Sequence, residues 1–282
     1  MGSPEGLSAT LKPGVGIVFA DMDDTFLDTN KAIPPQNHEL LDVLAREDVP
    51  FVPCTGRPVI ALPSEIMAHA ATRYVVSSNG AVVYDVRAQT NLFVHSIDPQ
   101  AVLDLYERVQ DIQTTFDVFA DGKVFLERAR YEALRSYGLD RPSLEVLLRV
   151  RIPVDLTVPQ IVERANKIEK ITCFWRSESD RDALVEVIDD IPGLSRSSGH
   201  PRNFELQACG VSKGEALKWL CNYLGIPREE SVAFGDANND LPLVTAAGDG
   251  VAMGNATEQV KAVADHVTCS CNEGGVARYL LR

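Results

Sequence analysis

Residues 14–25 read GVGIVFADMDDT, an apolar run that ends in three carboxylates, Asp21, Asp23 and Asp24. The segment GVGIVFAD has the length and near-continuous apolar character of a buried strand. In an extended strand, residues two positions apart point the same way, so we expect Asp21 and Asp23 to converge just beyond its carboxyl end. Because open α/β sheets bind ligands at that edge, this stretch predicts both a fold and a site.

The chain on either side of this strand alternates short apolar runs with longer amphipathic segments. Up to residue 84 the pattern predicts three strands separated by helices, and after about residue 210 the same alternation returns. Near-continuous apolar strands separated by helices are typical of a parallel sheet covered on both faces. We therefore predict an α/β fold with a Rossmann-like, doubly wound parallel-sheet core.

The middle of the chain has a different pattern, with more charge and mixed strand and helix signals. We predict an inserted α+β cap domain over 85–206, and a core formed by 1–84 and 207–282. The insert is rich in arginines, which are interpreted as solvated faces paired with Asp and Glu, with a substrate-facing patch as the alternative. These arginines are Arg128, Arg130, Arg135, Arg141, Arg149 and Arg151.

Composition and charge restrict the classes of function. The 282 residues are 45% hydrophobic and carry a formal net charge of -13. Nucleic acids and anionic membranes are bound by clustered Lys and Arg, so neither partner is expected. The chain lacks eighteen consecutive apolar residues, and its first fourteen residues lack the regions of a signal peptide, so we expect a cytoplasmic protein. The six cysteines lack zinc-site spacing and are expected to be reduced thiols.

Three further polar clusters follow predicted strands or begin predicted helices, at 53–58 (PCTGRP), 211–217 (VSKGEAL) and 234–240 (FGDANND). The first combines a hydroxyl, a flexible amide and a helix start, which together suit an anion. Neighbouring carboxylates repel unless a cation or proton lies between them, and oxygen ligands at a pocket edge suit Mg²⁺. An ordinary acidic turn is the alternative for DMDD. The polar residues in the three clusters are Thr55, Gly56, Arg57, Lys213, Asp236, Asn239 and Asp240.

In this order the four segments resemble the motifs of the haloacid dehalogenase superfamily of phosphotransferases. Residues 77–85 (SSNGAVVYD), 250–256 (GVAMGNA) and 272–277 (NEGGVA) are similar to its Cof-type branch, which carries a large α/β cap of type IIB between the second and third motifs. The resemblance covers the chain except for its first dozen residues. It implies a phosphoric monoester hydrolase acting on a small phosphorylated metabolite, with sugar phosphates first and pyridoxal phosphate next.

The resemblance also implies the chemical roles of the carboxylates. Asp21 is the nucleophile that becomes an aspartyl-phosphate. Asp23 is the general acid for the leaving oxygen and then the base that activates water, and a raised pKa would suit that work. Mg²⁺ is held by the Asp21 carboxylate, the Asp23 backbone carbonyl and Asp236.

Other roles implied by the resemblance concern the phosphoryl group and the substrate. Lys213 neutralises charge on Asp21 and the phosphate, and Asp240 orients Lys213. The residues implied to bind phosphate or substrate are Thr55, Gly56, Arg57 and Asn239. Candidate contacts to the leaving group are Arg57, Asn79, Arg176 and Arg202, with surface ion pairs as the alternative for the two cap arginines.

Two alternatives to a phosphatase share these residues: a sugar phosphomutase that uses the same intermediate, and a non-catalytic sensor of sugar phosphates. Either a monomer or a small homo-oligomer is compatible with the sequence. The chain departs from the branch at Asp24, where Gly is usual, and Asp is expected to keep the loop geometry because it tolerates unusual backbone angles. A less acidic segment around Glu273 leaves any metal or loop role of that residue open.

Overall fold

The computed structural model describes residues 9–282. The expectation that no targeting segment is present falls partly on residues 1–8, which lie outside the described residues. The strands are β1 (Ile17–Asp21), β2 (Phe51–Cys54), β3 (Tyr74–Ser77), β4 (Val82–Asp85), β5 (Thr90–Val94), β6 (Asp117–Ala120), β7 (Lys123–Glu127), β8 (Arg151–Val154), β9 (Ile168–Phe174), β10 (Leu194–Ser197), β11 (Asn203–Ala208), β12 (Ser231–Gly235), β13 (Asp249–Ala252) and β14 (His266–Val267). The helices are α1 (Pro35–Arg46), α2 (Ser64–Ala68), α3 (Pro99–Arg108), α4 (Arg128–Ala133), α5 (Arg141–Val150), α6 (Val158–Arg164), α7 (Glu178–Asp189), α8 (Lys213–Leu224), α9 (Leu241–Ala246), α10 (Glu258–Val263) and α11 (Gly275–Leu280).

The chain divides into two compact units. Of the described residues, the first unit contains 9–54, Ser64–Tyr74 and Leu217–Arg282, and the second contains Thr55–Pro63 and Val75–Ala216. The predicted boundaries of core and cap, at 84/85 and 206/207, stay a prediction.

The first unit contains a parallel sheet with the strand order β14-β13-β12-β1-β2. All five residues of β1 are buried, as the near-continuous apolar run predicts. The register places Phe19 beside Ala233 and Ala20 beside Phe234, so β1 and β12 end next to each other. Because β2 lies on the other side of β1, the strand order reverses there, and this reversal creates the crevice in which α/β sheets hold ligands. The predicted Rossmann-like α/β class is confirmed.

The second unit has the α+β character predicted for the insert. Strands β4 and β5 form an antiparallel pair, and a separate sheet has the order β10-β11-β9-β6-β7-β8. Helices α3, α6 and α7 contribute to one buried apolar cluster with strands β6 and β9. Trp175 packs in that cluster with its ring centroid 4.7 Å from that of Phe204, so its side chain belongs to the core of this unit.

One predicted element differs from the structure. The sequence indicates an imperfect helix over 57–70, but the chain forms a short 3-10 turn at Val59–Ala61 and then the helix Ser64–Ala68. Pro63 lies between the two pieces. Because proline has no backbone N–H and restricts the residue before it, Leu62 is extended and the helix restarts after it.

Within 9–282 no helix is both long and apolar enough to cross a bilayer. All six cysteines lie in this range as free thiols, as expected.

Exposed pairs such as Arg128 with Asp155 and Arg141 with Glu145 confirm solvated arginine faces. For Arg151 the prediction of a solvated side chain is wrong. Arg151 is buried, and its Nη2 lies 2.7 Å from Oδ2 of the fully buried Asp117.

Candidate active site

Three carboxylates meet at the carboxyl ends of β1 and β12 in the first unit. Asp21 is the last residue of β1, Asp236 directly follows β12, and Asp240 ends the 3-10 turn that comes next. One carboxylate oxygen from each lies within 4.8 Å of the others. The pairing of β1 with β12 explains this convergence, because adjacent parallel strands end at the same edge. A cluster made only of oxygen ligands fits a hard divalent cation such as Mg²⁺.

Two contacts fix the position of Asp236. The Thr25 hydroxyl donates to its Oδ1 at 2.6 Å. The backbone N–H groups of Asp236 and Ala237 donate to Asp240 Oδ2 at 3.0 and 3.1 Å, which holds the loop after β12. Asp240 therefore holds the loop after β12, whereas the role predicted for it towards Lys213 stays a prediction.

The turn after β1 explains the departure at Asp24. Residues Met22–Phe26 form a tight turn, and Asp24 has a φ of 61°, a left-handed conformation that Gly and Asp adopt more readily than most residues. Lys31 lies above this turn, with its Nζ 3.1 Å from Asp24 and 3.3 Å from Asp23. Burial opposes the charge of Lys31, but the two carboxylates outweigh it and raise its pKa. Lys31 thus offsets part of the extra charge of Asp24.

The predicted phosphate loop, residues 55–57, belongs to the second unit and is held by backbone hydrogen bonds. Thr55 N–H donates to the Val76 carbonyl at 2.8 Å, and Asn79 N–H donates to the Thr55 carbonyl at 3.0 Å. The Thr55 hydroxyl accepts from the Arg57 N–H at 3.1 Å, which closes the turn. Thr55 is buried and Arg57 is half-buried, and these hydrogen bonds constrain the backbone of the loop.

A buried ion pair lies against this loop. Lys170 Nζ donates to the Gly56 carbonyl and to Glu205 Oε1, both at 2.6 Å, and Asn79 Nδ2 donates to Glu205 Oε2 at 2.7 Å. Lys170 is 1% exposed and Glu205 is 7% exposed. Burial lowers the pKa of Lys170. Burial also opposes the charge of Glu205, but Lys170 and Asn79 outweigh it and lower the pKa of that carboxyl.

Lys213 is fully buried at the first position of α8. Ser212 caps the start of this helix, because its hydroxyl accepts from the Glu215 N–H at 3.1 Å. Gly80 packs directly against this helix start: a Cβ built on Gly80 would lie 2.1 Å from the Ser212 carbonyl oxygen and 2.9 Å from the Lys213 nitrogen. The backbone at Gly80 therefore helps to position Lys213.

Replacing Gly80 by Ala is expected to destabilise the protein by at least about 2 kcal/mol, since it combines left-handed strain with a backbone clash. Gly80 has a φ of +99°, and the clashing atoms belong to the main chain, which cannot move aside cheaply. Gly193→Ala is the matched control, because Gly193 has a φ of +84° and nothing within 4 Å of its added Cβ. Urea unfolding compares the two, and equal losses of stability would disprove the close-packing argument.

The structure places the predicted residues in two groups and adds others. Asp21, Asp236 and Asp240 form the carboxylate group, and the loop 55–57 and Lys213 belong to the second unit. Sequence reasoning missed three charged residues, one paired with Asp23 and Asp24 and two beside Gly56 of the loop 55–57. They are Lys31, Lys170 and Glu205. A signal was present for Lys170, because IEKITCF places charged residues inside an otherwise apolar strand.

The cap arginines make local contacts. Arg202 donates to the backbone carbonyl of Arg176, and the Arg176 guanidinium lies 5.8 Å from the centre of the Tyr137 ring. These contacts give both side chains a structural role within their own segment. A substrate contact for either arginine stays a prediction.

The fold and the carboxylate group define an α/β enzyme. Its oxygen-ligand site lies at the edge of the sheet where the strand order reverses. The family model described as haloacid dehalogenase-like hydrolase matches residues 18–280. The chain therefore belongs to the haloacid dehalogenase-like hydrolases. The enzyme class implied by the resemblance, a phosphoric monoester hydrolase, is confirmed.

Related proteins agree with this assignment over nearly their full lengths. Phosphatase YwpJ from Bacillus subtilis strain 168 is 28% identical over 294 residues, covering 94% of this chain and 98% of the relative. From the same organism, 5-amino-6-(5-phospho-D-ribitylamino)uracil phosphatase YitU is 27% identical over 94% of this chain and 96% of its own. Among solved structures, a subclass IIB sugar phosphatase, BT4131, has a TM-score of 0.79 at 22% identity, covering 94% and 97% of the two chains, and shows the same fold.

Proposed function

We propose that this hydrolase is a Mg²⁺-dependent phosphatase that hydrolyses a small phosphorylated metabolite, a sugar phosphate first, through an aspartyl-phosphate on Asp21. The observation that carries the proposal is the carboxylate group at the ends of β1 and β12, with oxygens within 4.8 Å of one another. The names of two similar proteins support the substrate class, since one acts on a phosphorylated ribityl compound and another is a sugar phosphatase.

In the first half-reaction, an Asp21 oxygen attacks phosphorus and the bond from phosphorus to the leaving oxygen breaks. Asp23 supplies the proton that the leaving oxygen takes. In the second half-reaction, Asp23 takes a proton from water, the water oxygen attacks phosphorus, and the bond to Asp21 breaks, which restores the carboxylate. Asp23 therefore ends the cycle in its starting protonation state.

The Asp21 carboxylate, the Asp23 carbonyl and Asp236 would hold Mg²⁺, and the ion when bound supplies positive charge to the phosphoryl oxygens. Phosphoryl transfer depends mainly on positioning and charge stabilisation, so the remaining residues act as donors. Lys213 would neutralise charge on the phosphoryl group. Thr55 and the amides after it would bind phosphoryl oxygens, and Asn239 would add a further donor.

The test is inorganic phosphate release from a panel of sugar phosphates, pyridoxal phosphate and nucleoside monophosphates, with Mg²⁺ and with excess EDTA. We expect release concentrated on a few compounds and lost with EDTA. Undiminished release in EDTA would remove Mg²⁺ from the mechanism. Isomer exchange primed by a bisphosphate, without net phosphate release, would identify a mutase, and binding without any turnover would identify a sensor.

A further inference from the structure

The second unit contains a cavity of about 380 Å³ next to the phosphate loop. One wall, Pro58–Ile60, continues the chain directly from residues 55–57, a second comes from β3, β4 and β5, and a third from the β6–β7 turn and β9. Among the described residues that line it, none is Lys, Arg or His. The cavity is thus acidic and partly apolar, and an anion would find no cationic partner in its lining.

Of the two acidic residues that line this cavity, Glu169 is buried and Asp121 is exposed. The register of β6 with β9 pairs Phe119 with Lys170 and Ala120 with Ile168, so Glu169 is the extra residue of a β-bulge. A bulge re-aims a side chain and is common beside active sites. Because the next residue, Lys170, donates to the Gly56 carbonyl, the bulge also connects the cavity wall to the phosphate loop.

The Glu169 carboxyl is only half satisfied within the described structure. Its Oε1 accepts from the Gly122 N–H at 2.8 Å, whereas its buried Oε2 has no hydrogen-bond partner there. The residue is 1% exposed, and burial raises its pKa to about 7. Buried polar atoms in folded proteins are nearly always paired, so an unpaired oxygen on a residue that lines a cavity points to a partner supplied by a ligand.

The chemistry of the lining restricts that ligand. A hydroxyl both donates and accepts, so it can pair with Oε2 whether the carboxyl is ionised or protonated. A carboxylate or a second phosphate in this cavity would lie beside the acidic side chains of Glu169 and Asp121. The Asp121 oxygens already accept from the backbone N–H groups of Asn166 and Lys167. The apolar side chains of Val59 and Val82 suit the C–H faces of a polyol.

We infer that this cavity receives the leaving group of the phosphate ester, and that Glu169 selects a neutral, hydroxyl-bearing leaving group over an anionic one. The inference rests on the proposed phosphatase function and narrows its substrate class. It assigns Glu169 as a specificity-determining residue, separate from the residues that act on the phosphoryl group.

The experiment measures kcat/KM for four phosphate esters with the full chain: glucose 6-phosphate, 6-phosphogluconate, glucosamine 6-phosphate and phenyl phosphate. Wild type should prefer glucose 6-phosphate to 6-phosphogluconate by about tenfold or more. Glu169→Leu should lower kcat/KM for glucose 6-phosphate by roughly 10- to 100-fold, and that for phenyl phosphate, which has no hydroxyl to pair, by less than about threefold.

Two variants separate hydrogen bonding from fold. Glu169→Gln keeps a donor and an acceptor, so it should retain kcat/KM for glucose 6-phosphate within about threefold. Glu163→Gln on the exposed side of α6 is the control and should match wild type for all four esters.

The outcomes distinguish this inference from the function on which it rests. Phosphate release from none of the esters would overturn both. Release with equal kcat/KM for glucose 6-phosphate and 6-phosphogluconate would overturn the inference and leave the phosphatase standing. Equal losses for glucose 6-phosphate and phenyl phosphate in Glu169→Leu would reduce Glu169 to a structural residue. A preference for glucosamine 6-phosphate that disappears in Glu169→Gln would identify a cation site instead.

Discussion

Asp21→Asn should lower kcat for phosphate release by at least about 10⁴-fold, because the amide cannot form the acyl-phosphate bond that the proposed mechanism requires. The fold should remain, since Asn has nearly the same shape and Asp21 lies at the end of a strand whose other residues are apolar and buried. Phosphate release under saturating substrate and Mg²⁺ measures the effect.

Thermal unfolding of the same variant gives a second readout. Added Mg²⁺ should raise Tm of wild type more than that of the variant, since ligand binding to the folded state stabilises it. Asp42→Asn, at an aspartate 81% exposed on α1, is the control and should retain activity. Wild-type turnover in Asp21→Asn would exclude Asp21 as the nucleophile.

Lys170→Met is expected to destabilise the protein by roughly 3–5 kcal/mol, because it leaves the buried Glu205 carboxylate without its cation. The same change removes the donor to the Gly56 carbonyl and the contact of Nζ with the Phe119 ring, 4.3 Å from its centre. The phosphate loop should then be less constrained, and KM for the preferred substrate should rise. Urea unfolding and steady-state kinetics measure the two effects.

The double variant Lys170→Met/Glu205→Gln tests the cause. The amide introduced by Glu205→Gln carries no charge, and its oxygen can still accept from Asn79. The double variant should therefore recover most of the stability that Lys170→Met loses. Lys123→Met, at an exposed lysine that begins β7, is the matched control and should cost little. A double variant no more stable than Lys170→Met would contradict the ion-pair explanation.

Much of the fold and of the candidate site was predictable because it depends on local sequence. Apolar runs such as GVGIVFAD identify strands, and the residue that ends such a run lies at the sheet edge wherever the strand is placed. Ser212 was identifiable as an N-cap because capping acts within one helical turn. The left-handed turn at Asp24 was likewise anticipated from residue type.

Other features depend on which distant segments become neighbours, and local pattern carries no information about that. The pairing of β1 with β12 brings Asp21 to Asp236, although the two are far apart in the chain. Lys170 reads from sequence as an ordinary charged residue, and only the folded chain places it between Glu205 and the Gly56 carbonyl.

The sequence by itself determined the α/β class, most strands and helices of the core, and the residue types that the proposed phosphoryl chemistry would use, because periodicity and residue type act over short distances. Only the tertiary structure decided how charges are compensated and where the cavity lies. Non-local packing produces the Lys31 contacts and the Lys170–Glu205 pair. It also produces the bulge that places Glu169 in the lining of the cavity. In a buried environment, that packing decides whether a charged side chain is paired or left for a ligand.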